Sequence, residues 1–235
     1  MFTKIVLVLF SISLCFGNAI AQEPGVHPSY VSIKMRSDAL DSDPVATTIC
    51  GGVVVDEKRK LVATAWHCVP NQRSIIEKPG IFSVGGMNAK LVTFSPEADT
   101  VIFQVDNLKG LKAPAFKIPK KGNILVASAY YDAFPVTFTA VDRFIPPMTV
   151  KVTLDWEGKV AAVANASRVG GEHYDKIVMT QFKWIVVTGN TAPGFSGGPV
   201  FDKTGNFVGL VSNINGGFTN VSSSENIINM IKSIK

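Results

Sequence analysis

Three short segments carry side chains that could act together on an acyl group. Ser196 lies in Gly194-Phe195-Ser196-Gly197-Gly198-Pro199, where glycines leave its hydroxyl open and let backbone N–H groups converge on one spot. A serine hydroxyl is a weak nucleophile until a base takes its proton and a third group orients that base. His67, in Thr64-Ala65-Trp66-His67-Cys68, is the candidate base. Its imidazole can take the proton near neutral pH and return it to a leaving amine. Asp99, in Ala98-Asp99-Thr100-Val101-Ile102, would hold the imidazole in the useful tautomer and stabilise its cation. It opens a strongly apolar run, at the edge of buried structure; taken alone it reads as an ordinary turn residue at a strand start. The competing histidines are His27, in a Pro/Gly-rich segment, and His173, after Gly170-Gly171-Glu172 in an apparent loop. Asp106, Asp132 and Asp142 are competing carboxylates without a supporting motif.

These groups sit far apart in sequence, so a rigid scaffold must bring them together. The chain has 235 residues, 46% hydrophobic and 17% charged, enough to bury a core in one domain or in two small barrels acting as one. Thin charge and 20 glycines suit a sheet-built protein better than a helical bundle. Short β-type runs recur between turn residues. Val31, Ile33 and Met35 alternate with polar neighbours, and Ile49 to Val55, Leu61 to Trp66, Leu91 to Phe94 and Val101 to Val105 follow. Asn107 to Gly122, rich in Lys, Pro and Gly, makes a crossover. Further runs are Ile124 to Tyr131, Val136 to Phe144, Thr149 to Leu154, Val160 to Val163, Ile177 to Phe182, Trp184 to Val187, Pro199 to Phe201 and Phe207 to Val211. Pro146-Pro147 breaks a strand pairing. Many short strands at regular intervals point to an all-β sandwich or barrel. In the tail, Ser222 and Glu225 have capping-box spacing, and Ile227, Ile228, Met230, Ile231 and Ile234 follow at helical spacing. A short C-terminal helix laid on a barrel is expected, with a membrane-active helix as the sharper alternative.

The N-terminus reads as a signal peptide. Lys4 is its basic region, and Ile5 to Phe16 is an apolar run too short for a comfortable membrane span. Ala19-Ile20-Ala21 offers a cleavage site before Gln22; an uncleaved anchor is the alternative. The expected organisation is 1–21 as signal, 22–115 as an N-terminal barrel, 116–221 as a C-terminal barrel and 222–235 as the helix. The mature protein is expected in a secreted or periplasmic location, without stable membrane insertion. Cys15 leaves with the signal. Cys50 and Cys68 then form an even pair in an oxidising compartment, which predicts a disulfide that stabilises the fold by about 3 kcal/mol. Metal binding is the weaker reading, because two cysteines and one histidine lack a fourth ligand. The net charge of +5 forms no dense basic run beyond Glu57-Lys58-Arg59-Lys60 and Lys120-Lys121. Solvated turns explain both runs better than a nucleic-acid surface. No cofactor and no metal are expected, and the partner is a protein or peptide substrate.

Cys50-Gly51-Gly52, followed by Leu61-Val62-Ala63-Thr64-Ala65-Trp66-His67-Cys68, resembles the histidine region of the trypsin-like (chymotrypsin-fold) serine peptidases, where a disulfide also brackets the histidine. Gly194 to Val200 resembles their serine region, and Gly209-Leu210-Val211-Ser212 the strand after it. The order His, Asp, Ser is the family's order. The resemblance covers Ser29 to the C-terminus. It implies two antiparallel six-stranded barrels with the site in the cleft between them, and a C-terminal helix. It also implies an oxyanion hole from the backbone N–H groups of Gly194 and Ser196, a pocket base at Asn190 with Thr191 beside it, and a substrate-pairing edge at Ser212, Asn213 and Ile214.

The departures from the family are informative. Many animal members place an aspartate before the serine, to pair with a new N-terminal amine after zymogen cleavage; here that residue is Phe195. Activity is therefore expected without processing beyond signal removal, and assay of protein starting at Gln22 checks this. Asn190 lacks the negative charge that attracts Arg or Lys, Val211 replaces a histidine common in glutamate-cleaving relatives, and Ile214 narrows the pocket entrance. Small or medium uncharged side chains are the expected targets. The leading expectation is a secreted serine endopeptidase acting through an acyl-enzyme. The alternatives are a binding protein on the same fold whose catalysis has lapsed, or an esterase using the same groups.

Overall fold

A computed structural model describes residues 27–35, 48–69, 72, 81–136, 139–140, 143–144, 148–167 and 181–234. The expected signal segment and its cleavage point, Asp142, Pro146-Pro147 and His173 lie outside them.

Strands β1 (Tyr30–Met35), β2 (Thr48–Asp56), β3 (Leu61–Thr64), β4 (Ile81–Val84), β5 (Met87–Ser95) and β6 (Thr100–Val105) form a six-stranded antiparallel sheet, ordered β1-β2-β3-β6-β5-β4. Strands β7 (Ile124–Val136), β10 (Met148–Ser167), β11 (Gln181–Thr188), β12 (Pro199–Asp202), β13 (Phe207–Asn215) and β14 (Phe218–Ser223) close into a barrel, ordered β10-β11-β14-β13-β12-β7. A small ribbon pairs β8 (Thr139–Ala140) with β9 (Arg143–Phe144), and helix α1 (Ser224–Ser233) follows β14.

Three apolar clusters hold the fold. One lies within the first sheet, around Val54, Val62, Trp66, Val101 and Phe103. A second fills the closed barrel, around Leu125, Ile185, Val187, Phe195 and Val221. The third joins the two halves: Val53, Leu61, Ala63 and Ile102 meet Phe201, Phe207, Leu210 and Ile227. This third cluster explains why Val101 to Val105 is nearly all apolar. Val101, Phe103 and Val105 face the first core while Ile102 faces the second half, so both faces of β6 are covered. Each such fully buried side chain contributes about 1.5–3 kcal/mol.

Among the described residues no ladder joins the outer strands β1 and β4, so the first sheet is not closed into the expected second barrel there. β4 has only four residues before Gly85 and Gly86, both in the left-handed region at φ +57° and +69°, turn the chain into β5. β1 meets that corner by side-chain packing of Val31 against Gly85. The runs Thr149 to Leu154 and Val160 to Val163, expected as two strands, are one 20-residue β10 bulged between Val160 and Ala162. The expected strand Val136 to Phe144 is divided between the end of β7 and the β8–β9 ribbon. The cap of α1 is Ser223, whose hydroxyl accepts from the Glu225 N–H. Ser222 is instead the last but one residue of β14, with its hydroxyl bonded to Thr100 Oγ1 and Asn226 Nδ2. The strand β14 was itself hidden in what the sequence presents as the approach to the helix.

The crossover Asn107 to Gly122 runs without strand structure, except that Phe116 bridges Phe207. It is fastened to the barrel by Lys117, whose Nζ lies 2.6 Å from Asp202 Oδ2. Burial on its own raises the Asp202 carboxyl. The Lys117 ammonium and the Asn206 and Thr204 donors outweigh that effect and hold it well below the usual carboxylate range. A carboxyl depressed in the folded state contributes stability that is complete above its unfolded pKa of about 3.9, and that is lost as the pH falls through the folded value. Asp202→Asn is expected to lower stability at neutral pH by about 1–3 kcal/mol. It is also expected to weaken the acid dependence, so urea unfolding at neutral pH and near pH 3 should separate the two chains less in acid.

Candidate active site

Asp99 is positioned by a turn. Its N–H donates to the Pro96 carbonyl (3.1 Å), and the residue adopts φ +46°, a left-handed conformation that aspartate tolerates better than most residues. The turn ends at β6, whose Thr100 is fully buried, so the carboxylate stands where the apolar strand emerges. On the facing segment, β3 ends at Thr64 and the chain makes one tight turn, Trp66–Cys68, stacked on Phe94 with ring centroids 4.5 Å apart. The Cys50–Cys68 disulfide ties this turn to β2.

The two segments meet at His67. Asp99 Oδ1 accepts from the His67 backbone N–H (2.9 Å), and Asp99 Oδ2 lies 2.7 Å from His67 Nδ1. One carboxylate therefore fixes both the main chain and the ring. Ser212 Oγ, from β13, donates to Asp99 Oδ2 (2.5 Å), so the carboxylate is held from the second half of the molecule as well. The Asp99 side chain is 15% exposed and that of His67 is 44% exposed; the carboxylate is shielded while the ring faces solvent. With Nδ1–H directed at the carboxylate, the Nε2 lone pair is the one available to accept a proton.

Ser196 belongs to a turn clamped by backbone bonds. Gly51 N–H donates to the Ser196 carbonyl (2.8 Å), Gly197 N–H to Val211 (2.8 Å), and Gly198 N–H to Phe195 (2.8 Å). Val211 N–H returns to the Gly198 carbonyl (2.9 Å). The Phe195 side chain, 3% exposed, is sunk into the barrel core, and its N–H donates to Ala192 (3.3 Å). The N–H groups on either side of it, those of Gly194 and Ser196, donate to no acceptor among the described residues, and neither does the Ser196 hydroxyl. Gly194, at φ +92°, takes the sharp turn that only glycine makes without strain.

Contact between the serine turn and the histidine segment is backbone on backbone. A Cβ on Gly51 would lie 2.5 Å from Gly198 Cα. A Cβ on Gly197 would lie 2.2 Å from Thr64 Oγ1, 2.7 Å from the Gly51 carbonyl and 2.8 Å from Ala65 N. Thr64 Oγ1 in turn donates to that carbonyl (2.7 Å), so it has no room to move away. Gly197 also has φ +69°. Gly197→Ala is therefore expected to cost about 1–3 kcal/mol in backbone strain, with a comparable cost from overpacking. A lowered midpoint in chemical denaturation checks it.

The expected pocket residues lie on two segments. Asn190 is exposed and Thr191 buried on the segment between β11 and Ser196, while Ser212 is buried and Asn213 and Ile214 exposed on β13. β13 pairs with β12 only as far as Leu210; beyond it, Ser212 to Ile214 have no strand partner on that side among the described residues. The competing groups lie apart from this cluster. His27 stacks on Phe201 (centroids 3.9 Å) with Nδ1 2.8 Å from Ser29 Oγ, and Asp106 is exposed at the far end of β6 from Asp99. The basic run Lys58 to Lys60 lies in the β2–β3 turn, away from the site.

Two features escaped the sequence reading: the Ser212 bond to Asp99, and Thr219, a fully buried residue of β14 bonded to the pocket segment. The glycine pairs Gly51-Gly52 and Gly197-Gly198 were the available signal for the close backbone approach. Nothing local marked Thr219.

The sequence profile of the trypsin-like peptidase domain matches residues 50–210. No curated protein matches the sequence. The chain is similar in structure to the Rv3671c protease from M. tuberculosis in its active form, at TM-score 0.62 and 18% identity, over 97% of this chain and 94% of that one. It is similar to the inactive form at TM-score 0.56 and 18% identity, over 88% and 89% of the two chains.

Proposed function

The chain belongs to the family of trypsin-like peptidase domains and is a serine peptidase, and from that footing we propose that it is a secreted endopeptidase working through Ser196, His67 and Asp99. The observation that carries this reading is the His67 Nδ1–Asp99 Oδ2 pair at 2.7 Å, locked to the serine turn through Gly51. In the proposed reaction, His67 Nε2 takes the Ser196 proton as Oγ attacks the scissile carbonyl. The carbonyl oxygen becomes an oxyanion, met by the uncommitted N–H groups of Gly194 and Ser196. His67 then gives its proton to the leaving amine. A water molecule, deprotonated by the same imidazole, releases the acyl group and restores the hydroxyl.

Asn190, Thr191, Ser212, Asn213 and Ile214 border the substrate cleft. The open side of β13 suits an extended peptide that adds as a strand beside Ser212 to Ile214. The Cys50–Cys68 disulfide supports an oxidising, exported location. No helix among the described residues is long and apolar enough to cross a membrane. Because Phe195 is anchored in the core, the serine turn needs no salt bridge from a new N-terminus, which favours an active enzyme over a lapsed binding protein.

Labelling with a fluorophosphonate tests the reading. The wild type should be labelled at neutral pH, and Ser196→Ala should lose the label. A folded, disulfide-intact wild type that takes no label would overturn it. Cleavage of a peptide library, against hydrolysis of simple esters, then separates endopeptidase from esterase.

A further inference from the structure

The turn that carries Asp99 is held from a distance. Asp99 has φ +46°, and φ is the rotation between its own Cα and the peptide that joins it to Ala98. Whatever fixes that peptide plane therefore fixes the direction of the Asp99 side chain. Both polar ends of the peptide are bonded. Its N–H donates to the Pro96 carbonyl (3.1 Å), and its C=O, on Ala98, accepts from Thr100 Oγ1 (3.0 Å). On the other side of Ala98, that residue's own N–H donates to Ser95 Oγ (3.2 Å). Ala98 and Thr100 are both buried, so a bond lost here is not replaced by bulk water.

Thr100 is in turn the near end of a chain of hydrogen bonds that crosses between the two halves of the molecule. Its Oγ1 lies 3.0 Å from Ser222 Oγ, on β14. Ser222 Oγ accepts from Asn226 Nδ2 (3.2 Å), in the first turn of α1. Asn226 is clamped on β11: its Oδ1 accepts from the Lys183 N–H (2.8 Å), and its Nδ2 donates to the Lys183 carbonyl (2.9 Å). Beyond the Trp184–Ser222 pair that ends the β11–β14 ladder, the Asn226 amide thus takes both backbone groups of Lys183 and has one orientation. Only one arrangement of protons satisfies every member of the chain. The Asn226 end only donates, and the Ala98 end only accepts. Ser222 therefore donates to Thr100, and Thr100 to Ala98. Thr100, Ser222 and Asn226 are all buried, where a half-satisfied network costs more than none.

Resting on the role proposed above for Asp99, we propose that Thr100 is a positioning residue for that carboxylate. The chain from Asn226 through Ser222 and Thr100 to the Ala98 carbonyl holds the Asp99 peptide in its left-handed turn. It thereby ties the aim of the carboxylate to the seating of the C-terminal helix. A left-handed aspartate persists where its surroundings over-determine it. Ser212 acts on the carboxylate itself, from β13; Thr100 acts on the backbone behind it. With the chain cut, the Ala98 carbonyl loses its donor, the turn relaxes, and the carboxylate swings away from His67. None of these groups borders the proposed substrate cleft, so the loss falls on kcat and leaves KM alone.

Steady-state kinetics on a cleaved peptide tests this, with a thermal melt to identify folded protein. Thr100→Val keeps the shape and removes the hydroxyl. Its kcat should fall by about ten- to a hundredfold with KM within about twofold, the scale expected of a small misplacement in an active site. Thr100→Ser brings the hydroxyl back and should hold kcat within about threefold of the wild type. Ser222→Ala should also lower kcat, and the double variant should lose no more than Thr100→Val alone, because both substitutions cut one chain. A wild-type kcat in either folded single variant overturns the proposal, and where Thr100→Val does not fold, Ser222→Ala decides. A Thr100→Ser as slow as Thr100→Val also overturns it, as do losses that multiply in the double variant. Asp99→Asn separates this proposal from the reading it rests on. If that variant loses less than about tenfold, the role of Asp99 falls and the chain falls with it. If it inactivates the enzyme while Thr100→Val does not, only the chain falls.

Discussion

Asp99→Asn is expected to lower kcat/KM by about 10⁴ with little change in folding, as happens when the orienting carboxylate of such a triad becomes an amide. The amide is nearly isosteric. Its carbonyl oxygen can still accept from the His67 N–H or from Ser212 Oγ, the contacts that now stand at 2.9 and 2.5 Å. What it cannot do is offer two acceptors. An NH₂ placed against Nδ1 must donate, which makes Nδ1 the acceptor and moves the ring proton to Nε2. The imidazole then has no Nε2 lone pair with which to take the serine proton. It also lacks the negative charge that stabilises its cation once the proton is transferred. Steady-state kinetics on a cleaved peptide, with a thermal melt as control, measures both. A loss under tenfold in a folded variant would remove Asp99 from the proposed role. Ser212→Ala should give a smaller loss, because it deprives Asp99 of one donor and leaves the carboxylate in place.

The residues around His67 and Ser196 were legible because each is a local arrangement written in consecutive letters: a disulfide bracket, a strand running into a tight turn, a serine among glycines. Asp99 was weaker, since a single carboxylate before an apolar run has many explanations. What supports it is geometry, since the left-handed turn after Pro96 directs both of its oxygens at His67. Ser212 could be placed on the strand after the serine, but its bond to Asp99 joins residues 113 apart in sequence and is a property of how the two halves dock. The same holds for Thr219. Threonine in a strand is unremarkable, and only the barrel order sets it under the pocket segment. The errors in the fold have a similar origin. Whether a six-stranded sheet closes depends on pairing between its first and last strands, β1 and β4, and no pattern inside either one specifies that. The two apolar runs expected as separate strands belong to one, β10, because Asp155 to Lys159 between them continue the ladder with β7. The capping position slipped by one because serine occupies 222, 223 and 224 alike, and the strand register decided which hydroxyl faced the helix N-terminus.

Phe195→Ala is expected to cost about 3–5 kcal/mol in stability, and to lower the rate of the protein that remains folded. The ring is 3% exposed and shares its core with Leu125, Val160, Val211 and Val221, strands that close the barrel. Truncation leaves a cavity that a closed barrel cannot collapse readily. The backbone of the same residue sits in the turn, with its N–H on Ala192 and its carbonyl accepting from Gly198. Anchoring the ring therefore sets the direction of the flanking N–H groups of Gly194 and Ser196. If those groups meet the oxyanion, releasing the anchor should lower kcat by about 10²–10³, the effect of losing one such donor. Phe195→Leu fills most of the volume and should retain both properties. Phe195→Asp would place a carboxylate in an apolar core whose described neighbours offer no cation. In the proposed reading the apolar anchor takes the place of the salt bridge formed after activation cleavage, from the moment of folding. Protein beginning at Gln22 should accordingly take a fluorophosphonate label at once, while Phe195→Ala should unfold at lower urea and label more slowly. A variant equal to the wild type in both measurements would show that the turn is held by its backbone bonds alone.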